Sequence, residues 1–257
     1  NPISQEYTVM RNSLLPGLLE TLSRNINRGN DEIGIFEIGK TFSFDKSNII
    51  HEKSYLCILL RSHKRKSWIK NEEIDFYYFK GMVAEMLEKL FLEEISFKKE
   101  KHPVFYPGMC AAIMHKTKRL ALVGALHPRI LATIHQEERV YCLYLDLEKT
   151  QELQQDSLYY EPVSKYPAST RDLAIVIDKH VAVGDIDQVI KKVGSSLLES
   201  VDVFDVYQGD QIPEEKKSVA FSLRFRSLDD TLNDESVDML LQQIRKKLIE
   251  EIGCDFR

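Results

Sequence analysis

Nowhere in the 257 residues is there an apolar run approaching the roughly 20 residues that a membrane-crossing helix requires. The N-terminus lacks the short apolar core of a signal peptide. It begins at Asn1 rather than Met, which predicts a fragment of a longer chain. Cysteine is scarce: Cys57, Cys110, Cys142 and Cys254 lie far apart, with no C-x-x-C pair. A structural metal site or a disulfide framework needs patterned spacing, so these are read as reduced thiols of a cytoplasmic protein. The histidines show no ligand spacing either, His127 and His135 being too far apart for adjacent turns of one helix; no metal ligand is assigned. Also missing are a Walker-type loop, a G-x-S-x-G nucleophile turn and any G-x-G. The acidic pairs Glu72-Glu73 and Glu93-Glu94 read as solvated surface.

An excess of positive charge is absent too. The net charge is −5, which argues against a generic polyanion binder. Its distribution is uneven. Residues 158–257 hold 13 basic against 19 acidic side chains, whereas residues 1–157 hold 22 against 21. Any nucleic-acid contact by the second part must come from local placement of charge, because its overall field is repulsive.

The patterning that is present begins with an extended start and a helix, with Ser13 as N-cap and Pro16 in the first turn. Leu15, Leu18, Leu19, Leu22 and Ile26 recur on one face. "NRGND" breaks the chain before a strand at Ile33 to Ile38, and "YLCILL" forms another before the basic loop "RSHKRKSWIK". That loop, with five basic residues around Trp68, reads as a solvated hairpin tip. A second helix is predicted after Asp75, aligning Phe76, Phe79, Val83, Leu87 and Leu90. Strands follow at "MCAAIMH", "RLALVGAL" and "VYCLYLDL", with Pro107-Gly108 and His127-Pro128 as turn signals. The polar stretch "QELQQDS" marks a boundary, which divides the chain into domains 1–157 and 158–257. Beyond it the order is strand "RDLAIVID", helix, strands "ESVDVFDVYQ" and "KSVAFSLRFRS", a long helix near 234–252 and the tail "CDFR". The fold class is α+β: an antiparallel-rich sheet with helices, then a ferredoxin-like βαββαβ unit.

Seven pieces in order resemble the C-terminal part of the bacterial-type phenylalanyl-tRNA synthetase beta subunit. They are "NPIS" with "MRNSLLPGLLETLSRN", "FEIGKTF", "DFYYFKG", "VGALHP", "YEPVSKYPASTRDLA", "LLESVDVFDVYQG" and "KKSVAFSLRFRS" with "TLNDESVD". The resemblance implies a degenerate class II synthetase domain followed by a ferredoxin-fold anticodon-binding domain. It also implies a catalytic alpha-subunit partner, in an assembly of two alpha and two beta chains, and phenylalanine tRNA as the bound RNA. Two departures stand out: Tyr106-Pro107-Gly108 replaces His-Pro-Gly, and Thr170-Arg171 replaces a basic pair before Asp172.

Adenylation needs cationic forks around the α-phosphate and leaving pyrophosphate, a task for arginine. Active class II domains resemble F-E-I-G-x-x-F-R-x-E at their second motif. Here Phe42 is followed by Ser43-Phe44-Asp45, so Ser43 marks a degenerate ATP-site position. The glycine-rich third motif has no counterpart, and "YCLYLDLEKT" near its place is acidic. No catalytic residue or cofactor is therefore assigned to this chain; ATP and magnesium are implied for the holoenzyme. The apolar helix faces beginning at Leu15 and Phe76 are offered for alpha-subunit contact, though an intramolecular core is the preferred reading.

In "KSVAFSLRFRS" the alternation sets Val219, Phe221, Leu223 and Phe225 on one face and Ala220, Ser222, Arg224 and Arg226 on the other. In "DVFDVYQ", Phe204 and Val206 are expected to face the helices, leaving Asp205 and Tyr207 outward. In "RDLAIVID", Asp172, Ala174 and Val176 are expected outward. Such a face suits an unpaired RNA loop: Tyr207 to stack on a base, Asp205 to accept from a base edge, arginines to reach phosphate. Surface ion pairing is the competing reading of Arg224 and Arg226. The resemblance implies tRNA contacts from "FDVY", and adds Ser164 and Ala174 from similarly placed segments, with Arg171 as the remaining member of the basic pair. A free-standing enzyme with rewired nucleotide chemistry and a homodimeric interaction module without RNA remain as alternatives.

Overall fold

The structure is a computed structural model that describes residues 8–62, 64–65, 72–92, 94–154, 163–209 and 211–257. The "NPIS" opening, Glu93, the stretch 155–162 and most of the basic loop, with Trp68, lie outside the described residues. The chain divides into two units, residues 1–158 and 159–257.

The first unit starts with α1 (Leu15–Asn27), whose Leu15, Leu18, Leu19 and Leu22 are buried at helical spacing. The N-cap is Leu14 rather than Ser13, without a side-chain cap. The Ser13 hydroxyl accepts the Leu15 amide at 3.2 Å just ahead of the helix, and Pro16 sits in the first turn, where a missing N–H leaves no bond unmade. Then come β1 (Gly34–Phe44), β2 (Ile50–Arg61), the short ribbon β3 (Lys64–Arg65) with β4 (Glu72–Glu73), and α2 (Phe76–Lys89). The side chains in that ribbon lie outside the described part. After α2 follow β5 (Ile95–Lys99), β6 (Phe105–His115), β7 (Lys118–Leu126), α3 (Pro128–Ala132), β8 (Val140–Asp146) and α4 (Leu147–Gln151). Six strands make one antiparallel sheet in the order β1-β2-β8-β7-β6-β5.

Both faces of this sheet carry core. Leu56, Ile113, Val123, Leu143 and Leu145 pack with Phe79, Val83 and Leu87 of α2. Cys57, Leu59, Cys110 and Cys142 pack on the opposite side with the leucines of α1. Both apolar helix faces therefore turn inward. Asp75 caps α2 by accepting the Tyr78 amide at 2.8 Å, and Phe79 stacks on Tyr141 with ring centroids 5.9 Å apart. One turn signal is corrected: Pro107-Gly108 lies inside β6, at a register shift between Phe105 and Cys110. A bulge there leaves a ladder position without a donor, which accommodates proline. His127, by contrast, does open a turn, its ring accepting the Arg129 amide at 3.1 Å to cap α3.

The second unit runs β9 (Ser169–Asp178), α5 (Val183–Gly194), a 3₁₀ turn, β10 (Leu198–Tyr207), β11 (Lys216–Phe225), α6 (Asp234–Ile252) and β12 (Asp255–Phe256). Its sheet order is β10-β11-β9-β12, all antiparallel, which is the ferredoxin-like arrangement. Helices α5 and α6 share one core with Leu173, Ile175, Ile177, Val219, Phe221, Leu223 and Phe225. Asn233 caps α6 by accepting the Ser236 amide at 2.7 Å.

All four cysteines are free and buried. Burial pushes the Cys110 thiol up to about 11, with Glu100 adding to the rise and Arg119 opposing it. At pH 8 an aromatic disulfide reagent is therefore expected to titrate none of the four in the folded chain and all four in urea; rapid native reaction would contradict this packing. Phe221 is fully buried, so Phe221→Ala should cost about 3–5 kcal/mol in urea denaturation of the second unit.

Candidate nucleic-acid interface

Side chains on a strand alternate between faces, and α5 and α6 take one face of the second sheet. Register fixes what remains on the other. Asp202, Ser222 and Asp172 form one cross-strand row; Asp205, Ala220 and Ala174 the next; Tyr207, Ser218 and Val176 a third. Arg224 lies in register with Ser200 and Thr170 at one end. Asp205 thus stands beside a floor of two alanines, with Tyr207 one row along. Ser222 donates to Asp172 at 3.1 Å and Ser200 to Asp202 at 3.0 Å, so neighbouring carboxylates are held by hydroxyls.

Strand β10 is not regular. Its register slips between Leu198 and Ser200 and again between Val203 and Asp205. Glu199 and Phe204 are the residues left out of the ladder. The second slip corrects the expected orientation of Phe204: it is 59% exposed rather than packed against the helices. Val206 pairs with the core-facing Val219, yet it too is half exposed because β10 is the outer strand. A bulge resets the alternation by one residue, which keeps Asp205 and Tyr207 on the uncovered face. The adjacent apolar pair Val203-Phe204 was the available sequence signal.

Tyr207 lies over Gly209: a Cβ there would stand 2.6 Å from the phenolic oxygen. Glycine permits this close approach, and a larger residue would displace the ring.

The remaining candidates separate. Arg171 is in register with Leu223 and so points to the helix side, not the open face. Its Nη2 lies 2.7 Å from Asp234 and its Nε 3.0 Å from Asp238, both on α6, and these two carboxylates raise its pKa. Arg171 is thus corrected from an RNA-face residue to a tie between β9 and α6; it shares the parity of Leu173 and Ile175. Ser164 donates to the Ser227 carbonyl at 2.8 Å and accepts the Tyr166 amide at 3.1 Å, a fastening of two loops. Ala174 does belong to the floor, and its carbonyl accepts the Arg257 amide at 3.1 Å. Arg224 and Arg226 both meet Glu199, at 2.5 and 3.0 Å from their Nε atoms. Ion pairing, the competing reading, is therefore realised for both. They also differ: the Arg224 side chain is 49% exposed, whereas that of Arg226 is 20% exposed and reaches the Tyr166 carbonyl at 3.4 Å.

Residues 1–147 match the phenylalanyl tRNA synthetase beta chain CLM domain, and residues 164–257 match the ferredoxin-fold anticodon binding domain. The chain belongs to the phenylalanyl-tRNA synthetase beta-subunit family. Similar relatives include the phenylalanine–tRNA ligase beta subunits of Bacillus licheniformis, 36% identical over 260 residues, and Clostridium acetobutylicum, 33% identical over 260. Each alignment takes in 100% of this chain and 32% of the relative. The Bacillus subtilis protein of that name is 33% identical over 96% of the chain. The chain spans about a third of the length of these relatives, 32% in two of them and 31% in the other.

Against the synthetase second motif, the strand of "FEIGKTFSFD" is β1, an outer strand of its sheet. Ser43 is exposed and in register with His51 near the hairpin tip. Asp45 folds back into the turn, accepting the Ser47 and Ile49 amides at 2.8 and 2.9 Å. The His51 ring lies 3.0 Å from its other oxygen, and this contact, then the amides, holds the carboxyl below its usual range. Gly39 is explained by Arg11, whose guanidinium crosses β1 where a Cβ would sit. Arg11 also donates to the Lys40 carbonyl at 2.8 Å. In "YCLYLDLEKT", Asp146 accepts the Lys149 amide at 3.2 Å and caps α4. These residues do not fit an ATP phosphate clamp: Ser43 offers one neutral hydroxyl, and the nearby carboxylates are committed to turns and caps.

Gly209→Ala is expected to turn the Tyr207 ring away from residue 209, shifting its aromatic NMR resonances while changing stability by under about 1 kcal/mol. Unchanged ring resonances would contradict the close contact.

Proposed function

We propose that this chain is a non-catalytic part of a phenylalanyl-tRNA synthetase beta subunit that binds the anticodon region of phenylalanine tRNA and supports a catalytic alpha subunit. The observation that carries the RNA reading is the shared face of Asp205 and Tyr207 over Ala220 and Ala174, opposite both helices. An unpaired base laid on that floor has a ring for stacking beside it and a carboxylate for its N–H donors. No catalytic step is assigned to the chain. On this reading ATP and its magnesium ion belong to the alpha subunit of a cytoplasmic assembly of two alpha and two beta chains. The residues around Ser43 support that division of labour.

Alpha-subunit support is assigned to β1 rather than to the helix faces, which are spent in the core. Phe36, Ile38 and Phe44 share one face of β1 and are 69%, 63% and 70% exposed. Phe36 and Ile38 form one exposed apolar pair and Phe44 with Ile50, its register partner, another near the hairpin tip, with the Lys40–Glu52 ion pair between them. An uncovered apolar edge of this kind suits a protein partner.

The RNA reading is tested with the phenylalanine tRNA anticodon stem-loop. Tyr207→Ala should weaken binding by about 1–3 kcal/mol, the worth of one base–aromatic stack. Isotherms identical to the parent would remove Tyr207 from the interface. The partner reading is tested by co-purification with the alpha chain: Ile38→Asp should reduce recovery with the unfolding midpoint unchanged. Undiminished alpha recovery would overturn it, and loss of self-association instead would favour a homodimeric module.

A further inference from the structure

Glu199 occupies an unusual position. It is the extra residue at the first bulge of β10, between Leu198, which pairs with Phe225, and Ser200, which pairs with Arg224. Bulges re-aim a side chain out of the regular alternation. Here the re-aimed carboxylate divides its oxygens between two guanidinium groups, Oε2 at 2.5 Å from Arg224 Nε and Oε1 at 3.0 Å from Arg226 Nε. The Arg226 end is anchored: its amide donates to the Leu197 carbonyl at 2.8 Å, its Nη1 reaches the Tyr166 carbonyl, and its side chain is largely buried. The two contacts differ in kind: Arg224 Nε donates a hydrogen bond to Glu199, whereas the Arg226 Nε contact is an ion pair without hydrogen-bond alignment. Arg226 therefore holds the carboxylate by charge from the inside while Glu199 grips Arg224 on the outside.

A guanidinium has a second donor edge, formed by its two terminal nitrogens, beyond the edge that includes Nε. With Nε taken by Glu199, the terminal nitrogens of Arg224 make no hydrogen bond among the described residues, and the side chain is half exposed on the face that carries Asp205 and Tyr207. One carboxylate faces two guanidiniums here, with Asp202 and Asp172 in the next row of the same face.

We propose that Glu199 is a positioning residue for RNA: it fixes Arg224 through Nε so that the terminal nitrogens present a preset two-pronged donor to a phosphodiester of the strand lying over the open face. The inference rests on the RNA reading of that face. Removing Glu199 lets Arg224 swing among rotamers, and the ordering must then be supplied on binding. A lysine at 224 keeps the charge but lacks a second donor edge.

The test uses the 257-residue chain and the phenylalanine tRNA anticodon stem-loop across a salt series. Arg224→Gln should lower affinity and reduce the slope of log affinity against log salt by about 1. Glu199→Gln should weaken binding about five-fold in the parent but leave it unchanged in the Arg224→Gln background, the signature of coupled residues. Arg224→Lys, an exposed change with no core to disturb, should lose affinity while keeping most of the salt slope. Equal losses from Glu199→Gln in both backgrounds, tighter binding by Glu199→Gln, or full affinity in Arg224→Lys would each overturn the proposal. If Tyr207→Ala weakens binding while Glu199→Gln does not, the positioning role alone falls. If neither matters, the RNA reading falls with it.

Discussion

Strand β11 is hydrogen-bonded along both edges, to β10 on one side and β9 on the other, and most of the second unit follows from that double pairing. Its register cannot slip without moving Val219, Phe221, Leu223 and Phe225 out of the core together. Burying four such side chains resists that slip strongly, each being worth about 1.5–3 kcal/mol. The same pairing therefore commits Ala220 and Ser222 to the opposite face with equal firmness. The floor of the proposed binding face is then a by-product of core packing, rigid because its other side is filled. Small residues at Ala174 and Ala220 then leave room above it for a flat ligand.

Strand β10 has the opposite character. It is paired on one side only, and it carries two bulges within ten residues. An outer strand with a free edge is a template for unwanted pairing, and bulges blunt it. They also free individual residues from the two-residue period. Glu199 swings toward the arginines, and Phe204 emerges beside Asp205. The irregular strand thus supplies the specific chemistry, while the regular one beside it supplies position. The first unit repeats this division: its central strands are covered on both faces, and its exposed apolar pairs lie on the hairpin of outer strand β1.

Periodicity made the rigid parts legible. The leucine stripe of α1, the α6 stripe with its Asn233 cap, and the alternation in "KSVAFSLRFRS" each led to an element of the right kind. Arg171 was legible in principle, since it stands two residues before Leu173 and must share its face. Charge beside Asp172 points toward RNA, whereas parity points toward the helices, and parity prevails. The Arg171 partners Asp234 and Asp238 lie over sixty residues on, a distance that no local pattern encodes. Phe204 and Glu199 were lost for a different reason. A bulge is a break in period, so no periodic pattern encodes it. Asp45 and Gly39 belong to a third class: their roles depend on a turn and on a crossing side chain from Arg11, visible only once the backbone is folded.

On the RNA reading, a binding face on a unit with more acids than bases calls for a physical account. Counterion release by clustered lysines and arginines gives sequence-independent affinity, and here the overall field subtracts it. What that reading leaves is contact chemistry: stacking on Tyr207, acceptance of base N–H donors by Asp205, and one oriented guanidinium at Arg224. Those contacts require a strand of the right shape and base identity, so a wrong RNA gains little from proximity alone. Glu199 fits this economy of charge. It cancels one of two neighbouring cations and, in doing so, restrains the geometry of the other, exchanging general attraction for direction. On the RNA reading, the acidity of the unit is part of its selectivity.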